Sequence, residues 1–158
     1  MNISMKERKE GRRRGGGFME LAILVALPVI FHYLMPVMVV IPPPYTYTGI
    51  AIMLTGFGLM MWAATEFRKA GTGFQLQDGG SVLVTSGPFR FSRNPMYLGM
   101  LIWLTGLAIL LGSLIVFVFP VLFFLLVNFL FIPIEERRME QANGEQFASY
   151  RKRVGRWL

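Results

Sequence analysis

The chain of 158 residues contains no cysteine and a single histidine, His32. Disulfide frameworks, thiol nucleophiles and thiolate metal sites are therefore excluded, and one imidazole cannot build the ligand set of a protein-held metal such as zinc. Charge is scarce as well. Charged residues make up 16% against 54% hydrophobic, and Lys and Arg outnumber Asp and Glu by 16 to 9. At a mean hydropathy of +0.51, so much apolar chain cannot be hidden inside a soluble domain of this size. The sequence reads as an all-α integral membrane protein.

Four apolar segments approach the roughly 20 residues that a helix needs to cross hydrocarbon: 18–40, 47–67, 95–111 and 114–134. The third is short, begins at Pro95 and leaves Gly112-Ser113 as the turn to the fourth. Prolines 28, 36 and 120 fall inside spans, where neighbouring helices satisfy freed carbonyls, so they predict kinks and not breaks. The first segment exceeds a signal-peptide core, and no small-residue cleavage site follows it. Every Lys and Arg lies before the first segment, between the second and third, or after the fourth. The turns Ile41 to Thr46 and Gly112-Ser113 carry no charge. Because basic loops stay cytoplasmic, this pattern predicts four spans with both termini on the cytoplasmic side. The net charge of +7 then faces anionic lipid headgroups, and nucleic acid is a poor partner.

The organisation that follows is a disordered basic cytoplasmic tail over 1–17 and one membrane domain over 18–158. In the cytoplasmic loop 70–94, strand-like runs on either side of Asp78-Gly79 predict a small β-hairpin. Residues 135–153 predict a polar, amphipathic cytoplasmic helix along the membrane surface, interruptible at Asn143-Gly144.

Two polar clusters flank the apolar stretch from Tyr97 to Ile134: the segment Ser86 to Gly99, and Glu135-Glu136. If the apolar stretch doubles back in a bilayer, both clusters emerge at one surface and Arg93, Asn94, Glu135 and Glu136 share a pocket. Charges at a membrane boundary are costly enough to suggest a function. Asn94-Pro95 is a helix start, with Asn to cap free donors and Pro at the first helical position. Such an end attracts a carboxylate or phosphate, Arg93 adds a full charge, and Tyr97 offers a ring face and a hydroxyl one turn in. Counted from Gly112-Ser113 at 1.5 Å per residue, the acids project roughly 7 Å beyond Pro95, a gap that a tilt or a ligand closes. An anion-binding helix end opposite a carboxylate pair suits a zwitterionic ligand that also carries positive charge.

Each residue also has a plainer reading. Asn-Pro alone caps a helix, Tyr97 serves as a belt aromatic, Arg93 touches lipid phosphate, and the two acids compensate the dipole of a following helix. His32 either lines a substrate cavity or bonds between helices. Trp62, Tyr150 and Trp157 read as interface anchors, and Gly99 and Gly106, seven apart, mark a close helix contact.

Taken together, the stretch from Leu83 to Gly99, the apolar hairpin, Glu135-Glu136 and the tail from Gly144 to Leu158 resemble the isoprenylcysteine carboxyl methyltransferase and phospholipid methyltransferase superfamily of membrane enzymes. The resemblance implies S-adenosylmethionine as methyl donor, bound on the cytosolic side by Arg93, Asn94, Pro95 and Tyr97 and by Glu135 and Glu136. The Asn-Pro-Met-Tyr form is similar to phospholipid N-methyltransferases, whose Gly-x-Gly element corresponds to Gly56 and Gly58. Two departures bear on the acceptor. Asn94 stands where the prenylcysteine enzymes show His, and their Arg one turn before the acidic pair is replaced by Phe131 or Ile132. The missing Arg weakens the case for carboxyl methylation, and Asn128 is the nearest substitute.

The resemblance implies a membrane-embedded methyltransferase. Its lipophilic acceptor is a prenylcysteine-like carboxylate, a phospholipid amine or another membrane-dissolved molecule. Arg93, Glu135 and Glu136 are the catalytic candidates, and Asn128 and Trp103 the substrate contacts. Tyr97, Trp103 or Phe89 offers ring faces to a sulfonium. Membrane lipids are the implied partners and no metal is involved. The competing class is a non-enzymatic four-helix scaffold, sensor or transporter subunit.

Overall fold

A computed structural model describes residues 23, 25–35, 38–71 and 82–158. The predicted basic tail and the turn at Asp78-Gly79 lie outside the described residues, as does Pro36. Among the described residues the chain is mostly helical and has no strands: α1 (Val25–Leu34), α2 (Thr48–Lys69), α3 (Pro95–Leu111), α4 (Val118–Leu126) and α5 (Ile132–Arg153). A 3-10 turn at Leu114–Phe117 leads into α4, and a π turn at Val127–Phe131 joins α4 to α5.

Two helical runs, Tyr45–Lys69 and Leu114–Arg153, are long and apolar enough to cross a membrane. In their most apolar windows only 17% and 28% of residues are buried within the protein. A core helix of a soluble protein would be mostly covered. Outward-facing Leu54, Phe57, Val121, Leu125 and Phe129 are exposed instead, which suits hydrocarbon surroundings and not water.

Helix α3 runs over the residues that local chemistry dictates. Pro95 fits its first position, and Gly112 ends it at φ +65°, a left-handed conformation that glycine adopts without penalty. The Gly112 carbonyl accepts from the Val40 and Ile41 amides at 2.8 and 3.3 Å, and the Leu114 amide donates to the Met38 carbonyl at 2.9 Å. The two uncharged turns therefore sit together at one end of the molecule. This pairing also corrects the first segment, which was expected to stay helical to Val40. Residues 38–40 are not helical, and Val39 forms an antiparallel bridge with Ser113. The run Pro42-Pro43-Pro44 just beyond supplies no amide donors to a helix, and each proline disfavours helical backbone before it.

Helices α2 and α3 are antiparallel and in backbone contact. A Cβ at Gly56 would lie 2.6 Å from both the Gly99 carbonyl oxygen and the Trp103 nitrogen, and one at Gly106 would lie 2.7 Å from the Gly49 oxygen. Small residues at this spacing let helices approach until the main chains touch. The expectation of a close contact at Gly99 and Gly106 is matched by their partners Gly56 and Gly49.

The fourth apolar segment does not end before the polar helix begins. Its 40-residue helical run passes through Glu135. A new direction is taken only at Gly144, whose φ of 45° and ψ of −117° are non-helical. Residues 135–143 thus extend the apolar helix outward, because Pro133 falls in the first turn of α5 and the π turn before it absorbs the misfit of its ring.

Candidate functional site

The loop from Ser86 to Asn94, the start of α3, the first turn of α5 and the residues after α5 converge at the end opposite the uncharged turns. The loop is set by α2. Buried Glu66 accepts from the Ser86 hydroxyl at 2.5 Å and from Lys69 at 2.7 Å. Gly87, at φ +58°, leaves no room for a Cβ, which would sit 2.7 Å from Glu66 Cγ. Phe89 packs beneath with Ala63 and Val84, edge-on to Phe67 at 5.0 Å.

From this loop Arg93 reaches α5. Its Nη2 lies 2.9 Å from Glu136 Oε1, with both side chains about nine-tenths buried. The approach lacks hydrogen-bond alignment, so Glu136 Oε1 is left without a hydrogen-bond donor, and Arg93 Nε is buried with no partner. Burial pulls the Arg93 guanidinium below its ordinary range, and the Glu136 charge opposes that shift. A second guanidinium completes the cluster: Arg156 Nη2 donates to Glu136 Oε2 at 2.9 Å, and Nη1 to Asn128 Oδ1 at 3.4 Å.

The neighbouring acid is held differently. The Tyr97 hydroxyl donates to Glu135 Oε1 at 2.6 Å, and no ion pair to Glu135 is formed among the described residues. Four of the sequence-predicted residues thus meet in two pairs, Arg93 with Glu136 and Tyr97 with Glu135. Their separation in the chain is closed by the α3–α4 hairpin.

Asn94 does not cap α3 with its side chain. Its Nδ2 donates to the Arg156 carbonyl at 3.0 Å, while its own carbonyl accepts the Leu98 amide at 3.0 Å. The side chain is turned toward the Arg156 carbonyl, and its oxygen makes no bond to the amides of the first turn. The first amides of α3 are consequently left without a side-chain cap. Asn128, expected as a substrate contact, accepts from Trp157 Nε1 at 3.1 Å as well as from Arg156. Trp157 also stacks at 5.2 Å on Phe124, so this tryptophan is a packed residue and not a free interface anchor.

The remaining candidates stand apart. Gly56 is buried against α3, Gly58 would have nothing within 4 Å of an added methyl, and Trp103 meets Gly56 through its main chain. His32 lies in α1 beside Tyr33, with Nδ1 buried and unpartnered. A cleft of about 460 Å³ lined by Leu83, Gln146, Ser149 and Arg153 contains none of the sequence-predicted residues. The cluster of paired charges is the better candidate, since the cleft offers no buried unpartnered donor.

One residue escaped the sequence reading, and another, Tyr150, was expected as an interface anchor and is instead buried. Arg156 looked like one more lipid-facing cation, and its only local signal is its position after the helix-breaking Gly155. Tyr150 is buried and donates to the Phe89 carbonyl at 2.7 Å. Burial pushes its phenol from 10.0 up to about 12. The folded state therefore holds this proton more tightly than the unfolded chain, and the contribution is full below pH 10 and lost as pH rises from 10 to 12. Tyr150→Phe is expected to cost about 1 kcal/mol and to flatten that part of a plot of thermal stability against pH.

The arrangement suits a zwitterion. Arg93 Nε lacks an acceptor, such as a carboxylate would supply, and Glu135 keeps lone pairs for cationic or hydroxyl donors beyond the Tyr97 bond. These are the complementary halves of an amino-acid headgroup. Among curated proteins none matches the chain. The sequence profile of the phospholipid methyltransferase family matches residues 45–146, which include both paired clusters apart from Arg156. With well over half of the sequence matched, the chain belongs to the phospholipid methyltransferase family.

Proposed function

We propose that the protein is a multi-pass membrane enzyme that methylates the amine of a membrane phospholipid with S-adenosylmethionine as donor. The observation that carries this reading is the meeting of Arg93 with Glu136 and of Tyr97 with Glu135 at one end of the helices. Arg93 and the uncapped start of α3 would hold the donor's carboxylate, Glu135 its amino or ribose donors, and the Tyr97 ring its cationic centre. Asn94, Pro95 and Glu136 shape the same pocket. When bound, S-adenosylmethionine supplies an electrophilic methyl group on sulfur.

The choice of acceptor follows from charge. Both guanidiniums of the cluster already pair with Glu136, and in this reading the free edge of Arg93 is taken by the donor's carboxylate, so a second, substrate carboxylate finds no further cation in the cluster. Among the described residues Glu135 is hydrogen-bonded to the Tyr97 phenol and in no ion pair, and a carboxylate so placed can take the proton that an amine must lose. The protein's share of the work is otherwise alignment and exclusion of water, since in-line transfer asks for little covalent chemistry. A lipid acceptor enters sideways from the bilayer, past Phe91 and Phe131, which are both exposed.

In this reading four spans, the first ending before residue 38 and the others over 47–67, 95–111 and 114–134, form one domain over 18–158. Both termini and the site are cytoplasmic. The grouping of the uncharged turns at one end and of the charged loops at the other supports that orientation.

Protein purified into lipid nanodiscs and supplied with methyl-labelled S-adenosylmethionine is expected to label phosphatidylethanolamine-type lipid in preference to a prenylcysteine analogue. Label in the prenylcysteine would reassign the acceptor to the carboxylate class. No binding of the demethylated product in detergent or lipid would leave the non-enzymatic scaffold. Glu135→Gln is expected to lower kcat/KM for the amine about 100-fold, within the range usual for a positioned base. Tyr97→Phe is expected to lower it about 10-fold, equivalent to one hydrogen bond to a charged group.

A further inference from the structure

The residues after α5 touch both sides of the Arg93–Glu136 pair. The Gly155 carbonyl accepts the Arg93 amide at 3.0 Å. The Arg156 carbonyl accepts from Asn94 Nδ2 at 3.0 Å and from the Ser92 hydroxyl at 3.4 Å. The Arg156 guanidinium spans Asn128 in the π turn and Glu136 in α5, and Trp157 is fixed by Asn128 and Phe124. The backbone of this segment thus orients the loop that carries Arg93, while its side chains orient the helix that carries Glu136.

We infer that Gly155 to Trp157 form a strap that sets the Arg93–Glu136 geometry, with Arg156 as a positioning residue acting through Glu136 and Asn128 as its anchor. Three observations support this over a lipid-facing role for Arg156. Its side chain is 32% exposed, well below that of a solvated surface cation such as Lys69 at 72%. Its two Nη atoms are divided between separate acceptors, a fork that lysine cannot reproduce. The acceptor Asn128 is an amide inside a π turn otherwise made of Val127, Phe129, Leu130 and Phe131, where a polar side chain needs a partner. Glu136, paired with two arginines, is then saturated with charge and serves to hold Arg93, leaving Glu135 as the acid that meets ligand. The inference about ligand rests on the donor site proposed above.

The test uses the full chain in nanodiscs and two readouts. Binding of the demethylated donor product should weaken about 10-fold in Arg156→Ala and about 3-fold in Arg156→Lys, which restores charge without the fork. Arg156→Ala combined with Glu136→Gln should be no worse than Glu136→Gln alone, because a residue acting through another is non-additive with it. Amide exchange without ligand should accelerate at Arg93, whose N–H donates to Gly155, in both Arg156→Ala and Asn128→Ala. Additive losses, or unchanged exchange at Arg93 in both variants, would overturn the strap. If the wild type binds no donor product while exchange responds as described, the strap stands and the donor-site reading fails. Should Arg156→Ala not fold, Asn128→Ala and Arg156→Lys carry the same comparison.

Discussion

Glu136→Gln is expected to be among the most damaging single substitutions in this protein, lowering stability by about 3–4 kcal/mol. Glutamine keeps the shape of the side chain but leaves two guanidiniums without a counter-charge. One of them, Arg93, is nine-tenths buried, and stripping one partner from a buried pair costs about 3–5 kcal/mol. The other, Arg156, is 32% exposed, so water recovers part of its loss and the lower half of that range applies. Thermal unfolding in detergent should show a fall of several degrees, together with weakened but still measurable donor-product binding. Arg93→Gln with Glu136→Gln should be less unstable than Glu136→Gln alone, because no buried unpaired charge remains. A stability unchanged in Glu136→Gln would mean that the cluster is solvated and not the buried pair described.

Gly56→Ala is expected to be nearly as costly for a different reason. The added methyl would stand 2.6 Å from main-chain atoms of Gly99 and Trp103, and backbone cannot rotate away as a side chain can. The helices must separate, at about 1–3 kcal/mol for the overpacking alone. Gly58→Ala is the matched control, since nothing lies within 4 Å of its Cβ position. Helix propensity makes that change neutral or favourable by up to about 1 kcal/mol. The pair also separates two roles for Gly-x-Gly. If Gly58→Ala abolishes donor-product binding at unchanged stability, the element belongs to the ligand site. If only Gly56→Ala has an effect, and it falls on stability, the element is a packing device.

How legible these features were in the sequence depended on how local their causes are. Helix α3 was readable from end to end, because a proline at its first position and a glycine just past its last impose those boundaries by backbone chemistry. The meeting of residue 93 with residue 136 was readable from one premise, that an apolar hairpin returns to its starting side. What failed depended on distant partners. Beyond α1, Val39 pairs with Ser113, and no property of residues 38–40 announces that bridge. Asn94 had the chemistry of a helix cap, but the carbonyl of Arg156 took its amide. Arg156 itself is placed by two changes of chain direction, at Gly144 and after Arg153, so its pairing with Glu136 had no periodicity to betray it. The continuity of the polar helix with the apolar one before it was not readable, because it depends on the π turn at Val127–Phe131.

The glycine contacts between α2 and α3 bring main chain against main chain at two levels of that seam. Two helices locked main chain to main chain behave as one stiff body, so the Tyr97 side of the pocket cannot yield to an incoming guest. Whatever breathing admits a bulky guest must therefore come from the opposite wall, where the widened π turn interrupts the regular hydrogen-bond ladder below Glu135.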